Sequence, residues 1–165
     1  MLRIGMGYDV HAFADGRKLV LGGVEIEHGR GLAGHSDADV VAHALMDAIL
    51  GAMRAGDIGE HFPDTDPAYR GVDSLELLRR VGQIMRDAGW TFVDADCVIV
   101  AQAPKLSPHR ETMRTRLAGS LDVPVDAIGV KATTTEGLGF AGRKEGIGAY
   151  AVALLERGFD DASGW

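Results

Sequence analysis

The sequence predicts an α+β fold, a single-domain sandwich in which helices cover one face of a mixed four-stranded sheet with a hairpin beside it. Strand-like segments lie towards both ends of the chain and helix-like periodic segments lie mostly between them, an arrangement typical of this class. The length of 165 residues and the hydrophobic fraction of 46% suit one domain with one core. We expect this domain to span residues 1–158 and residues 159–165 to form a loose C-terminal tail.

The chain begins with strand signals. Apolar alternation predicts a strand near Arg3–Tyr8. Gly22-Gly23 then separates two short apolar runs, residues 18–21 and 24–26, and a glycine pair between such runs is typical of a hairpin. The first part of the chain therefore contributes one strand and one hairpin.

A helix is predicted over Asp39–Ala55, because apolar residues recur there at helical spacing. The apolar stripe is wide, which predicts burial on more than one side. Ser36 is the expected N-cap, with Asp39 three residues later completing a capping box. Residues 57–71, with two prolines and several acids, are expected to form a loop.

The second half of the chain alternates helices with strands. Pro108 suits the first turn of a helix, because the N–H group that proline lacks would have no hydrogen-bond partner within the helix at that position. In order, the predicted elements are a helix over residues 73–88, a strand over 91–101, a helix over 107–121, and strands over 128–134 and 147–155.

Composition limits the classes of function. The chain has 17 basic and 24 acidic side chains, a formal net charge of -7, which argues against broad nucleic-acid binding. Its only cysteine, Cys97, lies in a strand-like run, where we expect a buried and unreactive thiol. A lone cysteine fits a reducing compartment, and no apolar stretch approaches the ~20 residues that span a bilayer. We therefore expect a cytoplasmic protein without a membrane partner.

A candidate metal site follows directly on the first strand. Asp9 and His11 lie two residues apart, so in extended backbone their side chains point to the same side. Carboxylate and imidazole both bind zinc, and His43 in the first helix is the best candidate for a third ligand, which leaves one position open as in catalytic sites. Asp47, four residues later, is expected to orient the His43 ring. From spacing alone, a chance D-x-H triplet and an ordinary helical histidine remain the alternative.

Two further segments place polar groups at strand ends. Residues 131–140 offer three hydroxyls, Glu136 and two glycines, a composition that suits phosphate oxygens, with Glu136 holding Mg²⁺. A threonine-rich strand end with a solvated Glu136 explains the same pattern equally well. Residues 101–106 leave a strand and open a helix, and such a turn can frame a nucleobase while Lys105 supplies charge.

Taken together and in order, these motifs resemble the 2-C-methyl-D-erythritol 2,4-cyclodiphosphate synthase family, over about Arg3–Arg157. No single motif is decisive, whereas the ordered set is specific. The matching segments are Gly7-Tyr8-Asp9-Val10-His11, His35-Ser36-Asp37-Ala38-Asp39 running to His43-Ala44, Asp57-Ile58-Gly59, Phe62-Pro63-Asp64-Thr65-Asp66, Ala101-Gln102-Ala103-Pro104-Lys105, Lys131-Ala132-Thr133-Thr134-Thr135-Glu136, and Gly139-Phe140-Ala141-Gly142-Arg143 followed by Glu145-Gly146-Ile147.

The resemblance implies a phosphorus–oxygen lyase of the methylerythritol phosphate pathway to isoprenoid precursors. Such an enzyme converts 4-diphosphocytidyl-2-C-methyl-D-erythritol 2-phosphate to 2-C-methyl-D-erythritol 2,4-cyclodiphosphate and releases CMP. Zn²⁺ on Asp9, His11 and His43 is implied, together with Mg²⁺ or Mn²⁺ on Glu136. The implied partners are a small-molecule cytidine diphosphate substrate and two further copies of the chain, in a homotrimer with active sites between subunits.

The resemblance also implies roles for individual residues. His35 and Thr134 join the metal ligands as catalytic residues, and residues 62–71 form a lid. For Phe140 and Arg143, a cavity on the trimer axis and an ordinary packed core with an inter-subunit ion pair both remain open. The implied substrate contacts are His35, Ser36, Asp57, Ile58, Gly59, Phe62, Asp64, Ala101, Pro104, Lys105, Leu106, Thr133, Thr134, Thr135, Glu136, Phe140 and Arg143.

Two other functions would use the same residues. A zinc phosphoesterase would hold the metal with the same ligands, but it would incorporate solvent oxygen into an open-chain product. A trimeric binding module with a structural zinc would normally fill all four coordination positions with protein ligands. No fourth ligand is evident in the sequence.

Overall fold

A five-stranded mixed sheet and a two-stranded hairpin make up the β-structure of the computed structural model, which describes residues 1–158. In the large sheet the strand order is β4-β1-β7-β5-β6, with β5 and β6 parallel and the other neighbours antiparallel. The strands are β1 (Leu2–Ala14), β2 (Leu19–Leu21), β3 (Val24–Ile26), β4 (Gly31–Leu32), β5 (Thr91–Val100), β6 (Ile128–Thr133) and β7 (Gly146–Glu156).

The predicted mixed sheet and hairpin are confirmed, with two differences. β1 continues to Ala14 instead of ending near Tyr8, because it pairs with β7 along almost its whole length, from Leu2 to Ala12. β4 was not predicted, since two residues are too few for an alternating pattern to be visible. The proposed tail over residues 159–165 lies outside the described residues.

Three long helices cover one face of the large sheet. α1 packs on β1 and β7, α4 packs on β6, and α3 lies against both of these helices. All three were predicted, but residues 57–71 and the segment after β6 also contain short helices, α2 and α5, that were not. The helices are α1 (Val40–Met53), α2 (Ile58–His61), α3 (Ser74–Asp87), α4 (Arg110–Leu121) and α5 (Gly139–Gly142), with 3-10 turns over residues 67–69, 107–109 and 125–127.

The N-cap of α1 is Asp39, not Ser36. Its buried carboxylate accepts hydrogen bonds from the backbone N–H groups of Val41 and Ala42, at 3.1 and 3.2 Å. It also accepts from Gly22 and Gly23 in the turn between β2 and β3. The capping-box prediction was wrong because the helix begins only after Asp39. The Asp39 carboxylate can accept hydrogen bonds from free N–H groups of both the helix and the hairpin turn.

Small residues let α1 approach the sheet closely. A Cβ at Gly7 would lie 1.9 Å from the carbonyl oxygen of Ala44, and a Cβ at Gly5 would lie 2.0 Å from that of Ala48. On β7, beside these glycines, the residues that face α1 are also small, namely Ala149, Ala151 and Ala153. The helix backbone therefore rests almost directly on β1, which brings the first turn of α1 close to Asp9 in the middle of that strand.

The other face of the large sheet is open and largely apolar near its centre. The side chains of β1 that point away from α1 are exposed, among them Leu2 at 63%, Ile4 at 64% and Met6 at 69%. Tyr150 and Val152 of β7 continue the same surface. Cys97 points the other way, into the core, and burial raises the pKa of its thiol to about 12, as expected for an unreactive cysteine. Over residues 1–158 no helix has the length and apolar character needed to cross a membrane.

Candidate active site

Asp9, His11 and His43 converge as predicted. Oδ2 of Asp9 lies 3.2 Å from Nε2 of His11 and 2.9 Å from Nδ1 of His43. One ligand atom from each of the three lies within 4.8 Å of the other two. Tetrahedral zinc with bonds of about 2.1 Å separates its ligand atoms by about 3.4 Å, so a small outward movement of the rings accommodates the ion. The donor set, one carboxylate oxygen and two imidazole nitrogens, fits zinc.

Charge and hydrogen bonding at this centre favour an ionised carboxylate. Partial burial alone would raise the pKa of Asp9, but its hydrogen bonds with His11 and His43 outweigh that effect and lower the pKa. The hydrogen bond with Asp9 in turn raises the pKa of His11, against the opposing effect of partial burial. Without a metal, Asp9 therefore favours a proton on His11, at the position where a divalent cation would otherwise supply the positive charge.

The back of the His43 ring is held by two hydroxyl groups. Nε2 of His43 lies 3.0 Å from Oγ of Ser74 and 3.2 Å from Oγ of Ser36. Asp47, which the sequence predicted as the orienting group, instead accepts a hydrogen bond from the N–H of Ile58 at 2.8 Å and so fixes the start of α2. Ser74 was missed because it lies 31 residues from His43 and begins a different helix.

The three candidate ligands open into a cavity of about 470 Å³, a size typical of small-molecule sites. His35 lines it, and its Nε2 is buried without a hydrogen-bond partner in the described part of the chain. Such an atom needs a polar partner from a ligand or water. Asp57 is not in the wall, because its carboxylate caps α2 at the N–H of Glu60. The other lining residues are Ser36, Met46, Ile58, Gly59, Phe62, Pro63, Asp64, Thr65, Tyr69, Val72 and Leu77.

A second groove of about 360 Å³ lies at the end of β5 and β6. It joins the two segments that the sequence predicted to frame a base and to hold phosphate. The N–H of Ala101 donates to the carbonyl of Thr133 at 3.0 Å, which ties them together at their base. The lining residues are Ala101, Gln102, Ala103, Pro104, Lys105, Leu106, Ser107, Ala132, Thr133 and Thr134.

Glu136 lies beside this groove in a tight turn. Its backbone has φ of 53°, and its carboxylate accepts a hydrogen bond from the hydroxyl of Thr134 at 3.0 Å. Gln102 spans the two segments, since its amide oxygen accepts from the N–H of Gly137 at 3.3 Å. The hydroxyl of Thr135 bonds the carbonyl of Leu138 within the turn and does not line the groove. The carboxylate of Glu136 remains exposed and able to take a cation.

Asp9 in the cavity and Thr133 in the groove point to opposite faces of the sheet. Asp9 pairs with buried Ala149 and faces α1, whereas Thr133 pairs with Val100, whose register partner on β7 is Gly148 of the open face. Three strand spacings of about 4.8 Å separate β1 from β6, or roughly 14 Å. A single chain therefore does not enclose both sets of residues in one pocket.

Phe140 and Arg143 lie apart from both cavities. The Phe140 ring packs near Gly148 on the open face, where Tyr8 is also adjacent. The guanidinium of Arg143 donates two hydrogen bonds to the carboxylate of Glu145, at 2.8 and 3.2 Å, and this pairing raises the pKa of Arg143. Phe140 thus lies at the open face of the sheet, and neither residue lines the cavity or the groove.

Comparison with known proteins is consistent with this geometry. The YgbB family model matches residues 2–156. The 2-C-methyl-D-erythritol 2,4-cyclodiphosphate synthase of Synechococcus elongatus is 59% identical over 155 residues, which cover 94% of this chain and 97% of that protein. The bifunctional IspDF from Campylobacter jejuni matches with a TM-score of 0.92 and 44% identity, over 96% of this chain and 43% of that longer one. The Plasmodium falciparum IspF complex with CDP matches with a TM-score of 0.82 and 33% identity, over 94% and 96% of the two chains.

Proposed function

The chain belongs to the YgbB family, together with the 2-C-methyl-D-erythritol 2,4-cyclodiphosphate synthases, and we propose that its cavity and its groove jointly carry out their reaction. The enzyme converts 4-diphosphocytidyl-2-C-methyl-D-erythritol 2-phosphate to 2-C-methyl-D-erythritol 2,4-cyclodiphosphate and releases CMP. This is a phosphorus–oxygen lyase reaction of the methylerythritol phosphate pathway. The observation that carries the assignment is the convergence of Asp9, His11 and His43 at the mouth of a cavity.

Zinc is the ion we propose for this centre. The carboxylate and the two imidazoles suit it, and three protein ligands leave one position open for a phosphate oxygen. When bound, the ion supplies positive charge that positions and polarises a phosphate. The buried Nε2 of His35 in the same cavity, which has no hydrogen-bond partner among residues 1–158, supports a role for His35, with Ser36, as a phosphate contact.

The groove is the proposed nucleotide site. Ala101, Pro104, Lys105 and Leu106 would surround cytidine, while Thr133 and Thr134 would bind its phosphates. Glu136, whose carboxylate is exposed beside Thr134, would hold Mg²⁺ or Mn²⁺. Two divalent ions bring positive charge to the diphosphate, so the formal net charge of -7 is no obstacle to binding it.

The reaction needs no nucleophile from the protein. An oxygen of the substrate's 2-phosphate attacks the β-phosphorus, the bond from that phosphorus to the oxygen retained by CMP breaks, and CMP leaves. The chain's own contribution is to hold these groups in line and to stabilise charge. His35 and Ser36 would orient the 2-phosphate and Thr134 the leaving phosphate. In the main cavity, Ile58, Gly59, Phe62 and Asp64 would surround the methylerythritol.

A homotrimer with active sites between subunits is the proposed assembly. The separation of roughly 14 Å between β1 and β6, with Asp9 and Thr133 on opposite faces, supports it. The metal side of one chain and the nucleotide groove of a neighbour would then form one site. The exposed apolar surface around Ile4, Met6 and Val152 supplies a face that such an assembly would bury.

The decisive assay incubates the purified protein with the cytidine diphosphate substrate, Zn²⁺ and Mg²⁺, and follows products by phosphorus NMR. We expect CMP and a cyclic diphosphate, with no label in the product when the water carries oxygen-18. An open-chain, labelled product would identify a phosphoesterase instead. His11→Ala should abolish turnover while the protein stays folded, and His28→Ala, which replaces an exposed histidine outside both cavities, should leave turnover unchanged.

A further inference from the structure

A chain of hydrogen bonds leads away from His43 on the side opposite to Asp9. Nε2 of His43 meets Oγ of Ser74 at 3.0 Å, and the hydroxyl of Ser74 donates to Oδ1 of Asp37. Ser74 is fully buried at the first position of α3. These hydrogen bonds, from His43 to Ser74 and from Ser74 to Asp37, connect the candidate metal ligand to a carboxylate that lies outside the cavity wall.

The directions of these bonds follow from the chemistry of the groups. An ionised carboxylate only accepts hydrogen bonds, so the proton of the Ser74 hydroxyl must point to Asp37. The lone pairs of Ser74 Oγ are then left for His43, whose Nε2 must donate. Oγ of Ser36 accepts the N–H of Ala38 at 3.1 Å and offers the same ring nitrogen a second acceptor at 3.2 Å. Nε2 therefore carries a proton, and Nδ1, which hydrogen-bonds Asp9 at 2.9 Å, is the ring nitrogen at which a metal ion would take the place of the proton.

Asp37 is itself fixed between two helices. Its Oδ2 accepts from the backbone N–H of Ser74 at 3.1 Å, and its Oδ1 accepts from that of Asp39 at 3.3 Å. Its own N–H donates to the carbonyl of Val72 at 3.3 Å. The carboxylate therefore joins the residues that precede α1 to the first turn of α3, and the ring of His43 is braced against a rigid junction.

We propose that Ser74 and Asp37 are positioning residues of the metal centre, which present Nδ1 of His43 to the ion in one tautomer and one orientation. The proposal rests on the zinc site proposed above and extends it to two residues outside the ligand set. Partners of this kind, which hold the second nitrogen of a ligating histidine, commonly change metal affinity by about 10- to 100-fold when removed.

Zinc binding measured directly tests the proposal. Ser74→Ala should weaken zinc binding about 10-fold or more in a chelator competition assay, and it should alter the visible spectrum of the Co²⁺-substituted protein. Ser74→Thr, which keeps the hydroxyl, should restore both. Ser120→Ala is the matched control, because Ser120 is also a buried helical serine, but its hydroxyl donates to the carbonyl of Arg116 within α4 and not to a group of the metal centre.

The outcomes separate this proposal from the metal site itself. If folded Ser74→Ala binds zinc with wild-type affinity and gives an unchanged Co²⁺ spectrum while His11→Ala loses zinc, the positioning role is wrong and the metal centre stands. If His11→Ala also retains wild-type zinc affinity, the metal centre itself is wrong. Should Ser74→Ala fail to fold, Asp37→Asn allows the same comparison, with weaker zinc binding expected and unchanged affinity contradicting the proposal.

Discussion

Oδ2 of Asp9 lies 2.9 Å from Nδ1 of His43, although 34 residues separate them along the chain. The distance depends on how closely α1 approaches β1. Glycine at positions 5 and 7 removes the side chains that would hold the helix away from the strand. The metal centre is therefore built on a packing contact as much as on its own polar side chains.

Gly7→Ala tests that dependence. The added methyl would lie 1.9 Å from the carbonyl oxygen of Ala44, so α1 must move away from β1. We expect the free energy of unfolding to fall by about 3 kcal/mol, the upper end for overpacking, and zinc affinity to fall with it. Denaturant unfolding and chelator competition measure the two effects.

The matched control is Gly119→Ala in α4, where, among the described residues, no atom beyond its chain neighbours and the backbone of its own helix lies within 4 Å of the added methyl. Because alanine is the better helix former, this change should raise the free energy of unfolding by about 0.5–1 kcal/mol. A Gly7→Ala protein as stable as wild type would contradict the close approach of α1 to β1.

The metal-free protein should lose stability as pH rises above 6.5 and through the raised pKa of His11. The hydrogen bond with Asp9 raises the pKa of His11 above its ordinary 6.5. The contribution of this hydrogen bond to the free energy of unfolding is fully present below pH 6.5, and it disappears as pH rises through the raised pKa of His11. The lowered pKa of Asp9 affects stability only in acid, because the stabilisation that the ionised carboxylate provides is lost as pH falls below 3.8 and through the lowered pKa.

Denaturant unfolding of chelator-treated protein at several pH values checks this expectation. The difference in unfolding free energy between wild type and His11→Gln should shrink as pH rises. A zinc ion must displace the proton from His11, so zinc affinity should fall as pH decreases. A stability difference that is constant or grows as pH rises above 6.5 would show that Asp9 and His11 are not paired.

Glu136→Gln should leave the protein folded and raise the Mg²⁺ concentration needed for half-maximal turnover. The amide keeps the shape of the side chain, which is exposed beside Thr134, but removes the charge that attracts the ion. A Mg²⁺ titration of turnover measures the effect. Glu27→Gln, at an exposed position outside both cavities, is the control, and identical titrations for the two variants would rule out the metal role of Glu136.

If the proposed trimer forms, Ile4→Glu should convert it to monomers and abolish turnover without unfolding the chain. Ile4 is 64% exposed on the open face of the sheet, so the charge costs little in a monomer but is buried in the proposed assembly. Light scattering coupled to gel filtration measures the mass. Val125→Glu, at an exposed apolar residue outside the sheet, should remain trimeric, and an active monomeric Ile4→Glu protein would contradict shared active sites.

Local patterns were sufficient to predict most of the fold. The period of two along β1 placed Asp9 and His11 on one side, and the glycine pair at residues 22–23 located the hairpin. The wide apolar stripe of α1 correctly indicated burial on several sides, since the helix contacts β1, β7 and α3. These features depend on residues close together in sequence, which is why they were visible.

Features that depend on distant pairing were missed or wrong. Ser36 carries the usual signal of an N-cap. The hairpin turn, however, places the N–H groups of Gly22 and Gly23 where they donate to the carboxylate of Asp39, and that contact favours a helix start at Asp39. Asp47 has the right spacing to orient His43, yet Ser74 of another helix holds that position. No pattern within one helix reveals which hydroxyl from a neighbouring element will reach a ring nitrogen.

The most direct test of the metal centre is a crystal structure of the zinc-loaded protein with anomalous data collected at the zinc edge. We predict one peak per chain about 2.0–2.2 Å from a carboxylate oxygen of Asp9, Nε2 of His11 and Nδ1 of His43, with a non-protein ligand in the fourth position. A peak elsewhere, or a fourth protein ligand that closes the site, would contradict a catalytic zinc held by these three side chains.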